Sequence, residues 1–72
     1  MRIKNWERDP EGKDYQWWNK KKYTYIMVEQ NKNLNWNVIL GNKNLKKIIY
    51  ENSNKKMSLK FATNYMRSHP LG

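Results

Sequence analysis

The chain predicts an α+β fold: a four-stranded (three to four) antiparallel sheet with one C-terminal amphipathic helix packed on one face. Three observations carry this. Short aromatic and β-branched runs alternate with a period of two between residues 15 and 51. Asparagine- and glycine-bearing turns separate them at short intervals. Beyond residue 54 the apolar period lengthens to that of a helix.

Residues 1–14 read as an irregular lead-in around Asp9-Pro10-Glu11-Gly12, where proline presets φ and glycine tolerates positive φ, with Ile3 and Trp6 able to anchor it to the body. Residues 15–72 read as a single basic domain. Its first strand covers residues 15–19, with Lys20-Lys21-Lys22 as the exposed turn that follows. The second covers 23–29, placing Tyr23, Tyr25 and Met27 on one face and Thr24, Ile26 and Val28 on the other. A polar loop over 30–35 leads to a third strand at 36–40, where Trp36, Val38 and Leu40 share a face. Gly41-Asn42 turns the chain into a fourth at 45–51, with Lys46, Ile48 and Tyr50 opposite Leu45, Lys47 and Ile49.

Ser53 or Asn54 can cap the helix that follows. At 100° per residue, Leu59, Phe61, Ala62, Tyr65 and Met66 form one arc, and Lys56, Lys60, Thr63 and Arg67 form the opposite stripe. The helix ends near Ser68, because His69 precedes Pro70 and residues before proline disfavour helical geometry. One helix covers one sheet face, so the second face is left open.

Composition narrows the functional classes. The 72 residues hold 15 Lys+Arg against 6 Asp+Glu, a net charge of +9, and no cysteine. Residues 1–14 are neutral, with four basic and four acidic groups; residues 15–72 carry eleven basic groups against Glu29 and Glu51, so the whole excess lies on the body. Without cysteine there is no disulfide framework or thiolate zinc site, and a reducing cytoplasm is the expected location. No apolar run approaches the ~20 residues of a membrane span. Eleven asparagines beside twelve lysines and five isoleucines are also what A+T-rich codons encode, so the asparagine excess reads as codon bias as readily as function.

Catalysis is not expected. The single histidine, His69, stands beside Pro70 without a cysteine or nearby carboxylate, and suits a helix C-terminus. Four of six carboxylates crowd the first fourteen residues among basic neighbours, which makes no metal cage, and three scattered glycines make no phosphate loop. No cofactor and no metal are called for.

What remains is a basic body interleaved with aromatics, the composition of a nucleic-acid binder: lysines neutralise phosphates, and exposed rings stack on bases. The candidate residues are Lys20, Lys21, Lys22, Trp17, Tyr23, Tyr25, Lys46 and Lys47, presented on the open sheet face. Trp17 and Trp18 must point to opposite faces, one into the core and one outward. Single strands are favoured over duplex, because aromatics outnumber the three arginines and arginine is the usual reader of guanine edges. The alternative is an assembly module, a homodimer or a partner in a larger ribonucleoprotein, whose interface is the aromatic face. A domain this small without disulfide or metal gains from burying a second face.

Two stretches carry a resemblance. Arg2-Ile3-Lys4-Asn5-Trp6-Glu7-Arg8 and Tyr65-Met66-Arg67-Ser68-His69-Pro70 resemble the ends of small uncharacterised archaeal proteins with an I-x-N-W-x-R opening and a closing helix that ends in His-Pro or Asn-Pro. The resemblance implies an archaeal cytoplasmic source, or a virus of one, and no activity. In outline, strands followed by one helix resemble the Whirly-type single-stranded DNA binders, and residues 36–67 resemble the arm-binding domains of tyrosine recombinases; both likenesses are of topology alone.

Overall fold

Asparagine side chains close the turns of this sheet. The computed structural model describes residues 3–9 and 15–72. Five strands, β1 (Trp6–Arg8), β2 (Gln16–Asn19), β3 (Tyr25–Gln30), β4 (Trp36–Gly41) and β5 (Lys46–Asn52), are followed by helix α1 (Lys55–Ser68). The strands pair antiparallel in chain order, β1-β2-β3-β4-β5. After β2, Asn19 Oδ1 accepts from the backbone N–H of Lys21 and Lys22. After β3, Asn31 Oδ1 accepts from Asn33 and Asn35; after β4, Asn42 Oδ1 accepts from Asn44 and Leu45. Asn52 and Asn54 do the same at the helix entry, where Asn54 is the N-cap, accepting from Lys56 and Met57. An asparagine carbonyl imitates the backbone acceptor of a turn, so each corner is closed by its own first residue.

The sheet has one strand more than the sequence predicts. The segment expected to be an irregular lead-in supplies β1, which pairs with β2 through Trp6↔Asn19, Glu7↔Trp18 and Arg8↔Trp17. A three-residue strand gives no readable alternation, and its partner does not begin until Gln16. Ile3 and Trp6 are both buried in the core. The turn expected at Asp9-Pro10-Glu11-Gly12 lies, beyond Asp9, outside the described residues.

Helix α1 packs on β3, β4 and β5. Ala62 and Met66 are fully buried against Ile26, Val28 and Val38, with Leu59, Phe61 and Tyr65 packed around them. The predicted apolar arc is therefore the core face, and the helix ends at Ser68 as expected. Ser58, also fully buried, donates its hydroxyl to the Trp36 carbonyl at 2.8 Å, tying the first helical turn to β4. A register shift between Val38 and Ile39 pairs them with Tyr50 and Ile48, leaving Ile49 as the extra residue of a bulge. The bulge changes the predicted alternation. Tyr50 turns to the helix side and stacks on Phe61 at 4.3 Å, while Lys46 and Ile48 stay on the open face.

The C-terminal tail completes the core. Trp6 Nε1 donates to the His69 carbonyl at 2.9 Å, and the Pro70 carbonyl accepts from Asn5 Nδ2 at 2.9 Å and Asn19 Nδ2 at 3.1 Å. The two terminal stretches that carry the sequence resemblance thus close on one another.

At the opposite end of the sheet, Glu51 Oε2 accepts from Asn31 Nδ2 and Asn35 Nδ2, each at 2.9 Å. These two amides, Asn35 first, hold the carboxyl below its ordinary value. A depressed folded value stabilises the β3–β4 loop above the unfolded carboxylate range of about 4.3, and that stabilisation disappears as pH falls through the lowered value. The side-chain amide resonances of Asn31 and Asn35 are expected to shift and broaden together on acidification below this range, while core resonances hold. Amides that ignore pH there contradict the assignment.

Candidate nucleic-acid interface

The β2–β3 and β4–β5 turns leave the sheet at the same end, because Trp18, Tyr25, Gly41 and Lys46 lie in one cross-strand row. Lys20, Lys21 and Lys22 occupy the first turn; Lys43, Lys46 and Lys47 occupy or flank the second, and all six are exposed. Lys20 Nζ pairs with Glu7 Oε1 at 2.7 Å. Between the turns lies a cleft of about 210 Å³, walled by Thr24 from one side and Asn42, Lys46 and Lys47 from the other. Thr24 Oγ1 is buried there without a hydrogen-bond partner.

The local sequence explains this geometry. The hairpin closes at Asn19–Thr24, where Asn19 N donates to the Thr24 carbonyl at 2.8 Å, and Asn19 Oδ1 draws two further N–H groups inward. Lys20 N donates to the carbonyl of Asn5, the residue just before β1, so the chain entering β1 braces the same turn. Four residues, 20–23, then span the gap, and Tyr23 takes a left-handed φ of 56° to return the chain to β3. Tyr23 was expected in the second strand; it lies outside it, 76% exposed, at the edge of the lysine turn.

The other candidates divide. Trp17 shares the helix side with the buried Asn19, is half-buried, and packs against the core. The Arg8 guanidinium lies 5.8 Å from the centres of the Trp17 and Tyr15 rings. Lys55 Nζ sits 4.5 Å from the Tyr15 centroid and 5.3 Å from that of Trp36. Cations of the chain itself therefore lie beside these rings. The outward tryptophan is Trp18, whose Nε1 donates to Asp9 Oδ2 at 3.3 Å. Tyr25 reaches the open face but lies across Gly41: a Cβ at Gly41 would meet the Tyr25 ring at 2.4–2.7 Å. Its ring also leans on Trp18 at 5.3 Å. Lys46 faces the open side and Lys47 the helix side, as adjacent strand residues must.

The open face also holds carboxylates. Glu7 shares the row of Trp18, Tyr25 and Lys46, and Glu29, Asn37 and Glu51 form a row at the far end. Between them run Gln16, Met27, Ile39 and Ile48. The open face is thus apolar in the middle and acidic at one end, and six exposed lysines gather at or beside the other. Asn19 is the residue that sequence reasoning missed: it is 1% exposed and sets the lysine turn. Its position directly before three lysines is the signal that points to it.

His69 caps the helix C-terminus, with Nδ1 2.8 Å from the Tyr65 carbonyl oxygen and its ring stacked on Tyr65 at 4.0 Å. Among the described residues no three His, Asp or Glu side chains gather to hold a metal, and no helix is long and apolar enough to cross a membrane. No family model, curated protein or solved structure matches this chain.

Proposed function

We propose that the protein binds nucleic acid, single strands in preference, through the lysine-bearing end of the sheet. The observation that carries this reading is the convergence of two turns that hold or adjoin six exposed lysines, of which Lys20 alone is ion-paired to a described carboxylate. Such a concentration of like charge repels itself and gains from a polyanion that spans both turns. Lys21, Lys22, Lys43, Lys46 and Lys47 neutralise phosphates, while Lys20 is engaged by Glu7. Tyr23, held outward by a conformation costly for a bulky residue, offers its ring to a base. Sequence preference is weak, because stacking and charge neutralisation accept any base. The acidic end of the open face makes that face as a whole a poor backbone track, so the reading moves from the sheet face to its lysine end.

The test is anisotropy of labelled single-stranded DNA, single-stranded RNA and duplex DNA with the native chain and with Tyr23→Gly. Glycine adopts the left-handed turn freely, so stability should stay within about 1 kcal/mol of the native chain. Loss of one stacked ring should weaken single-strand affinity by roughly 5- to 100-fold. Binding to none of the three, or unaltered single-strand binding by Tyr23→Gly, contradicts the respective part of this reading.

A further inference from the structure

We propose that the open sheet face is an interface for a second copy of this chain, packed about a two-fold axis that crosses the strands. The face is apolar along its middle row, where Ile39 is 4% exposed yet lies outside the core beneath the helix, Met27 is half-buried, and Ile48 is 58% exposed. Trp18, 40% exposed, extends the apolar surface toward the lysine end. This surface shares Lys46 with the lysine end of the sheet but does not rest on nucleic-acid binding.

Charge selects the occupant. Lys46 and Glu51 are carried by the same strand, on the same face, at opposite ends of it. A two-fold axis through the middle row and across the strands inverts the strand direction, so Lys46 meets Glu51 of the partner subunit, and Glu51 meets Lys46 of the partner subunit. The middle row then packs on itself. A surface with complementary charge at its two ends and an apolar centre is what a closed isologous pair requires, since every contact is made twice. Glu29, in the Glu51 row, adds to the acidic end that the partner's lysine end would face. A polyanion would meet these carboxylates unfavourably.

Size sets the strength. Five strands at ~4.8 Å spacing and about six residues at ~3.3 Å give a face of roughly 400 Å² on each copy. The two faces together, roughly 800 Å², fall below the ~1,200 Å² of stable interfaces, so the dimer is weak and reversible.

The experiment is sedimentation equilibrium of the full chain from about 5 μM to 1 mM, a range chosen for an interface of this size. The native chain should pass from monomer toward dimer, and Ile48→Glu should weaken association at least ~10-fold, as expected for a charge placed at an apolar centre. Ile48 is exposed, so the circular dichroism of this variant should match the native chain. Lys46→Glu and Glu51→Lys should each dimerise poorly, because each self-pair sets like charges together; an equimolar mixture of the two should recover association, because both pairs become opposite again. Recovery in the mixture supports the interface whatever the stability of each variant. A native chain that stays monomeric throughout overturns it, as does a dimer indifferent to Ile48→Glu. A monomer whose oligonucleotide affinity falls on Ile48→Glu overturns it and gives the face to nucleic acid.

Discussion

Trp6→Ala is expected to remove most of the stability of this domain. Trp6 is 4% exposed, packs in the core, and donates its indole N–H to the His69 carbonyl at 2.9 Å. Truncating a buried tryptophan costs about 3–5 kcal/mol in lost burial and residual cavity. A chain of this length has roughly 4–11 kcal/mol in total, at 0.05–0.15 kcal/mol per residue. The change therefore takes the protein from folded to marginal. The loss should spread beyond the site, because Trp6 holds both β1 and the C-terminal tail, and the neighbouring Asn5 and Asn19 amides hold the next carbonyl of that tail. Trp6→Phe separates packing from hydrogen bonding. It keeps most of the apolar volume and leaves the His69 carbonyl without its donor, for about 1–3 kcal/mol. Urea midpoints should fall in the order native, Trp6→Phe, Trp6→Ala. A Trp6→Ala midpoint close to native would mean that β1 and the tail are no part of the cooperative unit.

The sequence made the central strands and the helix legible because each buries one face. Alternation in residues 25–30 and 36–41 marks the sides of β3 and β4, and the helical arc of Leu59, Phe61, Ala62, Tyr65 and Met66 is the one that meets them. β1 was hidden for a physical reason. Its pairing depends on β2 and on a tail more than sixty residues away, neither of which leaves a local period. The β5 bulge was hidden likewise, since one inserted residue reverses the faces of everything beyond it and no composition marks it.

The asparagines were legible in a way that codon bias obscured. Asn19, Asn31, Asn42 and Asn54 stand at the four corners of the body, each accepting two backbone N–H groups from the residues just after it. The triple lysine was legible as a turn. Which tryptophan faces outward was not, because Trp17 and Trp18 are chemically equal and only the burial of Asn19 beside Trp6 decides between them.

Replacing Lys20, Lys21 and Lys22 by Gln should separate affinity from stability. The turn is held by backbone N–H groups on Asn19, so the lysine side chains are not needed to form it. The Lys20–Glu7 pair is exposed on both sides, 57% and 63%, and contributes at most ~1 kcal/mol. Against that, fewer like charges at one end relieve repulsion. Stability should therefore change little. Affinity should not. Taking the five lysines other than Lys20 as phosphate contacts, a single strand released at ~0.7 counterions per contact loses roughly 100-fold in affinity between 50 and 200 mM salt. With Lys21 and Lys22 gone, three contacts remain, and the same interval costs about 20-fold. Lys43→Gln with Lys47→Gln should give a matching drop in slope, because the two turns grip one backbone. Lys56→Gln with Lys60→Gln, on the outer stripe of α1, should leave the slope unchanged. A slope indifferent to both turns would assign the basic excess to solubility. A slope that follows the helix stripe would move the nucleic acid to the other side of the molecule.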